Sequence, residues 1–550
     1  MKSPKRVEFT IEHLEQLRSR IISNTLTEDD RQLLPGLLDS IVWLGRELEE
    51  KKISIKRLRR VFGIITESTK NLLKKLKTNK EDEAEKKDTD KPKDSSDKDN
   101  DTKKKGHGRN GVDAYWGAKK VRVEHPTLKP GDICSACHKS KLYEVKDKNH
   151  PGIVIRVTGN APLTATAYDV QTLKCSGCQQ IFKADLPKEA GDKKYDHKAG
   201  AIVSLMKYGA GMPFHRLAGI QQNTGVPVPK AVQWEIGKDV GDCAEPIYNK
   251  MIETAAQGEI LHNDDTKAKI LSVMQENRKK EERGEKLKRK GIFTSGIISI
   301  VGKIKIALFF TGMKTAGENL DVVLEKRESD KGIPLQMCDA LLQNLPKKLK
   351  TLLCNCLTHG RRKFAEIIEN WPEECWYVIE TLKEVYANDE IARQKKMTPR
   401  ERLEFHQKES SKYMSELKEW LDDQIDNKKV EPNSSLGLAI NYMRKRWPEL
   451  TRFLELPGAP LDNNIVERAL KLIIMFRKNS YFYKTENGAK NGDILTSILQ
   501  TCNFCGTNPV EYLEVIQEYC QEVAKYPEKW LPWNYTDTWK ALLQTSRDPS

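Results

Sequence analysis

The chain reads as an α/β protein: a mixed sheet with flanking helices and a helical insertion, preceded by helical and metal-binding modules. Three observations lead there. Apolar runs rich in Ile and other strand formers cluster between residues 258 and 357. Stretches with helix-spaced apolar residues lie on both sides of that cluster. A charged, helical stretch at about 365–455 then interrupts the region before a last apolar helix begins near residue 461.

The bulk properties bound the reading. A chain of 550 residues is too long for one core, so about three or four units are expected. The net charge of +15 and the pI near 9.0 suit either a polyanion partner such as DNA or a merely soluble basic protein. No apolar run reaches the roughly 18–20 residues that span a bilayer, and Met1 to Glu15 lacks a signal-like apolar segment. A cytoplasmic protein without membrane contact is the expectation.

Residues 1–76 read as helical. Leu34, Leu37, Leu38, Ile41, Leu44, Leu48 and Ile55 recur close to a heptad seam, which fits a short coiled coil or an amphipathic helix packed on its own domain. Residues 77–112 read as a flexible linker. Within 77–105 ten Lys face ten Asp or Glu with almost no apolar side chain, too little to offset the entropy of ordering. Its charges cancel, so the basic excess lies elsewhere.

Residues 113–186 carry two C-x-x-C pairs, Cys134 with Cys137 and Cys175 with Cys178, separated by 37 residues. A two-residue spacer lets both thiolates of a turn face one ion, and two such knuckles complete a tetrahedral Zn²⁺ site. Residues 187–257 read as helical and hold a helix-turn-helix-like pattern. Helices over 199–208 and 213–222 are followed by a turn at Gly225 and by a helix carrying Lys230 and Gln233. Those two side chains either reach DNA or sit on an ordinary helical hairpin.

Residues 258–515 form the sheet region, and 516–550 a C-terminal tail. Strands are expected at Glu259–Leu271, Ile292–Val301 and Ile304–Phe310, with others before Asp339 and at 352–357. The charged stretch Glu276–Lys290 reads as a polar hairpin extension or a DNA-facing loop. Along the first strand, alternation sends His262, Asp264 and Thr266 to one face and Asn263 and Asp265 to the other. A carboxylate on a central strand beside a second strand-borne one can bind Mg²⁺ or Mn²⁺ through hard oxygens. Asp339 is the second candidate and Glu467, on a helix, the third. Arg468, Lys471, Arg477 and Lys478 follow Glu467, and Lys471 and Lys478 share its helix face. That strip is either a DNA surface or solvated charge. Arg361, Arg362 and Lys363 open another helix after the C-x-x-H pair Cys356 and His359, which reads as a packed Cys and a bonded His, as an anchor for the insertion or as a contact to DNA.

Taken together, the paired C-x-x-C, HNDDT (262–266), LQMCD (335–339), CLTHGRRKF (356–364) and LDNNIVERALKLIIMFRKNSYFYKTENGAKNG (461–492) resemble the insertion-sequence-66 family of bacterial transposases over about 110–515. The resemblance implies a ribonuclease-H-like core and a catalytic triad of Asp264, Asp339 and Glu467 holding two Mg²⁺ or Mn²⁺ ions. Asp264 would bridge the ions. It further implies DNA cleavage and strand transfer at element ends, a homo-oligomer on DNA and accessory element-encoded proteins. The sequence departs from the family pattern at Asp265, where Glu is usual, and at Ala340-Leu341, where Gly-Tyr is usual.

Overall fold

The computed structural model describes residues 161–174, 181–287 and 289–545, with isolated positions at 20, 23, 27, 30, 131–133 and 141. Cys134, Cys137, Cys175 and Cys178, the charged linker and the heptad-like seam lie outside the described residues. The chain divides into two compact units: Met1–Thr89 with Ile367–Lys383, and Asp90–Glu366 with Glu384–Ser550. In the first, residues 372–383 begin a helix whose first turn carries Glu373 and Glu374, acids placed favourably at the positive end of the helix dipole. The rest of the description concerns the second unit.

Its upstream part starts with a short antiparallel ladder, β1 (Thr172–Lys174) with β2 (Ile181–Lys183). Three helices follow: α1 (His197–Ser204), which runs on as a π-helical turn over Leu205–Gly209, α2 (Phe214–Asn223) and α3 (Lys230–Ala255). Asp196 caps α1 by accepting the Ala199 N–H at 2.7 Å. Gly225 takes φ +76° between α2 and α3, a left-handed turn that a side chain would strain. Leu163, Val203, Leu217, Val228 and Ile236 close a small core.

A five-stranded sheet forms the centre. It comprises β3 (Ile260–Lys267), β4 (Phe293–Val301), β5 (Ile304–Gly312), β6 (Leu335–Cys338) and β7 (Leu352–Asn355), in the order β5-β4-β3-β6-β7. The β3–β4 and β4–β5 pairs are antiparallel, and the β3–β6 and β6–β7 pairs are parallel. The α/β class expected from sequence therefore holds, with a mixed sheet. Period-two burial sorts the faces. Leu261, Ile297, Ile306 and Leu308 join the core with α3 and with α5 (Ala316–Leu324), whereas Ile298, Ala307 and Phe309 pack on a later helix through Val466, Leu470 and Ile473.

One expectation fails here. The first strand stops at Lys267, and residues 271–282 form helix α4 (Leu271–Glu282) in place of more strand and a polar loop. The helix buries Val273 and is laced by Glu276–Lys280 and Arg278–Glu282 pairs at 2.6 and 3.3 Å. Such i,i+4 pairs favour helix where few apolar side chains reveal its period.

Beyond β7 come α6 (Leu357–Ala365), α7 (Pro372–Gln394), α8 (Pro399–Glu409), α9 (Ser411–Asp426), α10 (Ser435–Arg444) and α11 (Trp447–Leu450). The chain then returns to the sheet with α12 (Asn464–Ser480), α13 (Glu486–Cys505), α14 (Pro509–Glu518), α15 (Cys520–Lys525) and α16 (Tyr535–Thr545). Helix α13 covers the edge strand β5. Asp493, Ser497 and Thr501, one turn apart, accept the N–H groups of Thr311, Phe309 and Ala307 at 2.6, 2.9 and 3.0 Å. Alternate residues of a strand and successive helical turns advance by similar distances, so one helix face can stand in for a missing strand and close the edge. A disulfide joins Cys243 of α3 to Cys520 of α15. Among the described residues, no helix is long and apolar enough to cross a membrane.

Candidate active site

Strand β3 carries the first acid. Its pairing with β6 sets His262 beside Met337; Asp264 lies two residues beyond that paired stretch and Asp339 just past the end of β6, near enough for the Asp339 charge to act on Asp264. The neighbouring Asp265 points the other way. It accepts the Ser295 hydroxyl at 2.6 Å and the Ala316 N–H at 2.8 Å, tying β4 and the start of α5 to the strand. Alternation thus sorts the two adjacent acids, one to each face.

Glu467 comes from the first turn of α12, and two features bring that turn to β3. Gly296 lies opposite Asp264 on β4, and a Cβ there would stand 3.1 Å from both Leu470 and Val466 of α12. The missing side chain allows the helix to approach the sheet closely. Asn463, just before the helix, is fully buried and pins it. Its Nδ2 donates to the Asn263 carbonyl at 3.0 Å, its Oδ1 faces His262 Nδ1 at 3.2 Å, and its N–H meets Cys356 Sγ at 3.3 Å. Because Nδ2 is committed to a carbonyl, Oδ1 must be the acceptor and His262 Nδ1 carries the proton. Burial holds the His262 pKa down at about 4, so the ring is neutral. At the far end of α12, Arg477 donates to Thr266 Oγ1 at 3.0 Å and to the Lys267 carbonyl, latching the helix to β3 again.

The electrostatics are those of an acid cluster. Burial pushes the Asp264 carboxyl up to about 7, and the charges of Asp339, Glu467 and Asp265 push the same way, against one hydrogen bond from the Asp265 N–H at 2.8 Å. Asp339 is held by the Leu341 N–H at 3.1 Å and by the Asn344 amide. Glu467 Oε1 and His359 Nδ1 face each other at 3.8 Å, and neither buried atom has a hydrogen-bond partner among the described residues. Burial also lowers the His359 pKa, although Glu467 opposes this. Cys356, His359 and Glu467 bring one donor atom each to within 4.8 Å of one another.

An open groove of about 260 Å³ starts at Asp339 and is lined by Leu342, Asn355, Lys445, Arg446 and Glu449. Arg446 lies over the Tyr442 ring at 4.4 Å, and Lys363 of α6 approaches the same ring at 5.6 Å. Arg362, Arg468, Lys471 and Lys478 are exposed, while Arg361 is half-buried. Lys230 is exposed at the start of α3. Gln233 corrects the sequence reading: it is fully buried, and its Nε2 donates to the Val228 carbonyl at 2.8 Å. The turn before α3 leaves that carbonyl inside the fold, and a buried acceptor needs a donor, so this side chain is unavailable to DNA. The residues flanking both C-x-x-C pairs are antiparallel partners, Ile133 with Lys141 and β1 with β2.

Sequence reasoning set His262 on the Asp264 face but missed Asn463 and the exposed aromatics Tyr481 and Phe482 beside the basic strip. Tyr481 is 70% exposed and takes φ +64° as α12 ends. The Asn-Asn pair ahead of the helix was the available signal for Asn463.

Comparison with known proteins adds a name to this geometry. A family model described as Transposase IS66 family matches residues 195–491, a span that contains all three acids. The chain is similar to two uncharacterized proteins of Sinorhizobium fredii (strain NBRC 101917 / NGR234). With y4jD it is 30% identical over 193 residues, 34% of this chain and 36% of that one. With y4qI it is 24% identical over 351 residues, 61% of this chain and 62% of the relative. The chain thus spans about a third to three fifths of the length of these relatives.

Proposed function

Since the chain belongs to the Transposase IS66 family, we propose that it is a metal-dependent DNA transposase whose triad is Asp264, Asp339 and Glu467 on a ribonuclease-H-like sheet. The observation that carries this reading is the convergence of three acids from separate segments, with Asp264 pushed up to about 7 by burial and by the other acids.

The site suits divalent cations. Its donors are hard carboxylate oxygens, and the buried Glu467 Oε1 lacks a partner among the described residues. When bound, Mg²⁺ or Mn²⁺ would supply activation of an attacking oxygen and stabilisation of the leaving 3′-oxygen. Asp264, Asp339 and Glu467 would hold the ions. The protein's own contribution is positioning: Asn463 and Arg477 fasten α12 at both ends, so Glu467 is held before substrate arrives. Lys445 and Arg446 would take backbone phosphates in the groove beside Asp339. Arg361, Arg362, Lys363, Arg468, Lys471 and Lys478 would extend that track, with Tyr481 and Phe482 available to stack on bases. Lys230 would contact DNA from the upstream helices. Cys134, Cys137, Cys175 and Cys178 would hold one structural Zn²⁺, supported by the antiparallel partners flanking each pair. Element ends, target DNA and further copies of the chain are the proposed partners, with accessory element-encoded proteins.

The deciding experiment is cleavage of DNA bearing the element's ends, with and without Mg²⁺. Cleavage that needs both the ion and Glu467 supports the reading. Salt-sensitive DNA binding with no cleavage under any divalent ion would leave a DNA-binding protein that keeps the transposase fold.

A further inference from the structure

Cys356, His359 and Glu467 present sulfur, nitrogen and oxygen to one point, and the hard-ion site uses only the last of them. Cys356 follows β7, and His359 lies one turn further on in α6, so the C-x-x-H spacing sets both on one side of the helix start. Glu467 arrives from α12. The donor atoms lie within 4.8 Å of each other, close enough for a single ion. Two of them, His359 Nδ1 and Glu467 Oε1, are buried without a hydrogen-bond partner among the described residues. Burying two such atoms unpaired is costly, and structures that do so commonly have a missing partner to supply. The sulfur already has an outer contact of the kind that supports a metal-bound thiolate: the Asn463 N–H, 3.3 Å away.

We propose that Cys356, His359 and Glu467 form a second metal site, selective for a soft or borderline ion of the Zn²⁺ class and joined to the carboxylate site through Glu467. The donor set decides the ion. Mg²⁺ prefers oxygen alone, whereas thiolate and imidazole favour Zn²⁺ and its neighbours. On binding, the Cys356 thiol gives up its proton and the sulfur becomes the ligand. Three protein ligands leave a fourth tetrahedral position open to water or to a DNA phosphate oxygen. Glu467 has two oxygens, so Oε1 can serve this ion and leave the other for the carboxylate site. The site needs no DNA and no strand transfer, so its test does not depend on the transposase reading.

The test uses the full chain, equilibrated with Zn²⁺ and freed of loose metal, with bound zinc counted by elemental analysis. Wild type should hold about one ion more than Cys356→Ser and His359→Gln. Asp264→Asn and Asp339→Asn should hold as many as wild type. Loading with Co²⁺ should show a sulfur-to-metal absorption band that weakens in Cys356→Ser. Cys356 is fully buried, so the half-buried His359 supplies the second variant, with folding checked by circular dichroism. A folded His359→Gln protein that retains the wild-type zinc count overturns the site. Loss of the same ion in Asp264→Asn does too, because the ion would then belong to the carboxylates.

Discussion

Among the described residues of the second unit, two clusters bring a histidine to a carboxylate, and they differ in one property. In the helical insertion, Asp389 of α7 accepts Arg402 Nε at 2.8 Å and faces His406 Nε2 at 3.3 Å. His406 Nδ1 meets Ser410 Oγ at 2.9 Å. The order Ser–His–Asp is that of a nucleophilic triad, yet His406 and Ser410 have no exposure, and Asn388 also donates to Ser410 Oγ at 3.2 Å. Around Asp264, by contrast, no ion pair to Asp264 or Asp339 forms among the described residues, and Glu467 and His359 keep buried atoms without a hydrogen-bond partner there. Burial tends to raise both aspartates. At Asp389, His406 and Arg402 outweigh it and draw the carboxyl down to about 2, whereas Asp264 is left near 7. Residue types alone would nominate either cluster. Satisfaction separates them: the first is bonded throughout and holds helices together, and the second keeps donor atoms without a partner among the described residues.

The largest expected effect tests the second half of that contrast. Asp264→Asn, Asp339→Asn or Glu467→Gln should each lower metal-dependent cleavage by about 10³-fold or more, roughly 4 kcal/mol of transition-state stabilisation, while DNA binding persists. Asp265→Asn should instead lower the melting temperature and leave the cleavage rate of folded protein within a few fold, because Asp265 ties Ser295 and Ala316 and does not face the site. Full activity in Glu467→Gln would remove the triad.

A smaller effect with a definite sign tests the first half. Asp389→Asn should destabilise the fold by about 2–4 kcal/mol, since it leaves the half-buried Arg402 without its counter-charge and weakens the bond to His406. The folded-state pKa lies below the ordinary value, so this stability is fully present above about pH 4 and is lost as the pH falls towards 2. Denaturant melts of wild type and variant should therefore converge at the acid end. Asp264→Asn should show the opposite sign, melting no lower than wild type in EDTA at neutral pH, because it removes a buried charge set among other acids. Equal destabilisation by both substitutions would erase the distinction between the clusters.

How much of this was legible beforehand follows from the range of the interactions. The apolar strands β4 and β5 announce themselves locally, and alternation along β3 separates Asp264 from Asp265 without any structure. The acids themselves looked like ordinary surface acids until the motif blocks were read together. The Asn-Asn pair marks Asn463 locally, but its role is not legible there, because its partners His262 and Cys356 lie 201 and 107 residues away. Gln233 was misread for a related reason: whether a polar side chain faces DNA or a buried carbonyl depends on how the turn before it folds. Helix α4 was hidden by its own charges, which supply the pairs that hold it.

The finest test concerns the close approach that brings the two sides of the site together. Gly296 stands across from Asp264, and a methyl there would meet Leu470 and Val466 at 3.1 Å. That is tight enough to move α12 by a few tenths of an ångström without breaking its packing. Gly296→Ala also reduces the freedom of the unfolded chain, a gain of about 0.4–1 kcal/mol that offsets the crowding. Stability should therefore change by less than about 1 kcal/mol in either direction. Cleavage should be less forgiving, because Glu467 sits on the displaced turn and catalytic geometry is sensitive to small shifts: a loss of about tenfold is expected. Adding Val466→Ala removes one of the two close contacts and leaves Leu470, so the double variant should recover part of the rate even though the cavity lowers its melting temperature. The Asp389 cluster, far along the chain and fully bonded, should keep its acid transition in both proteins. If Gly296→Ala cleaves at the wild-type rate, the contact between β4 and α12 does not set the position of Glu467, and Asn463 and Arg477 hold the helix on their own.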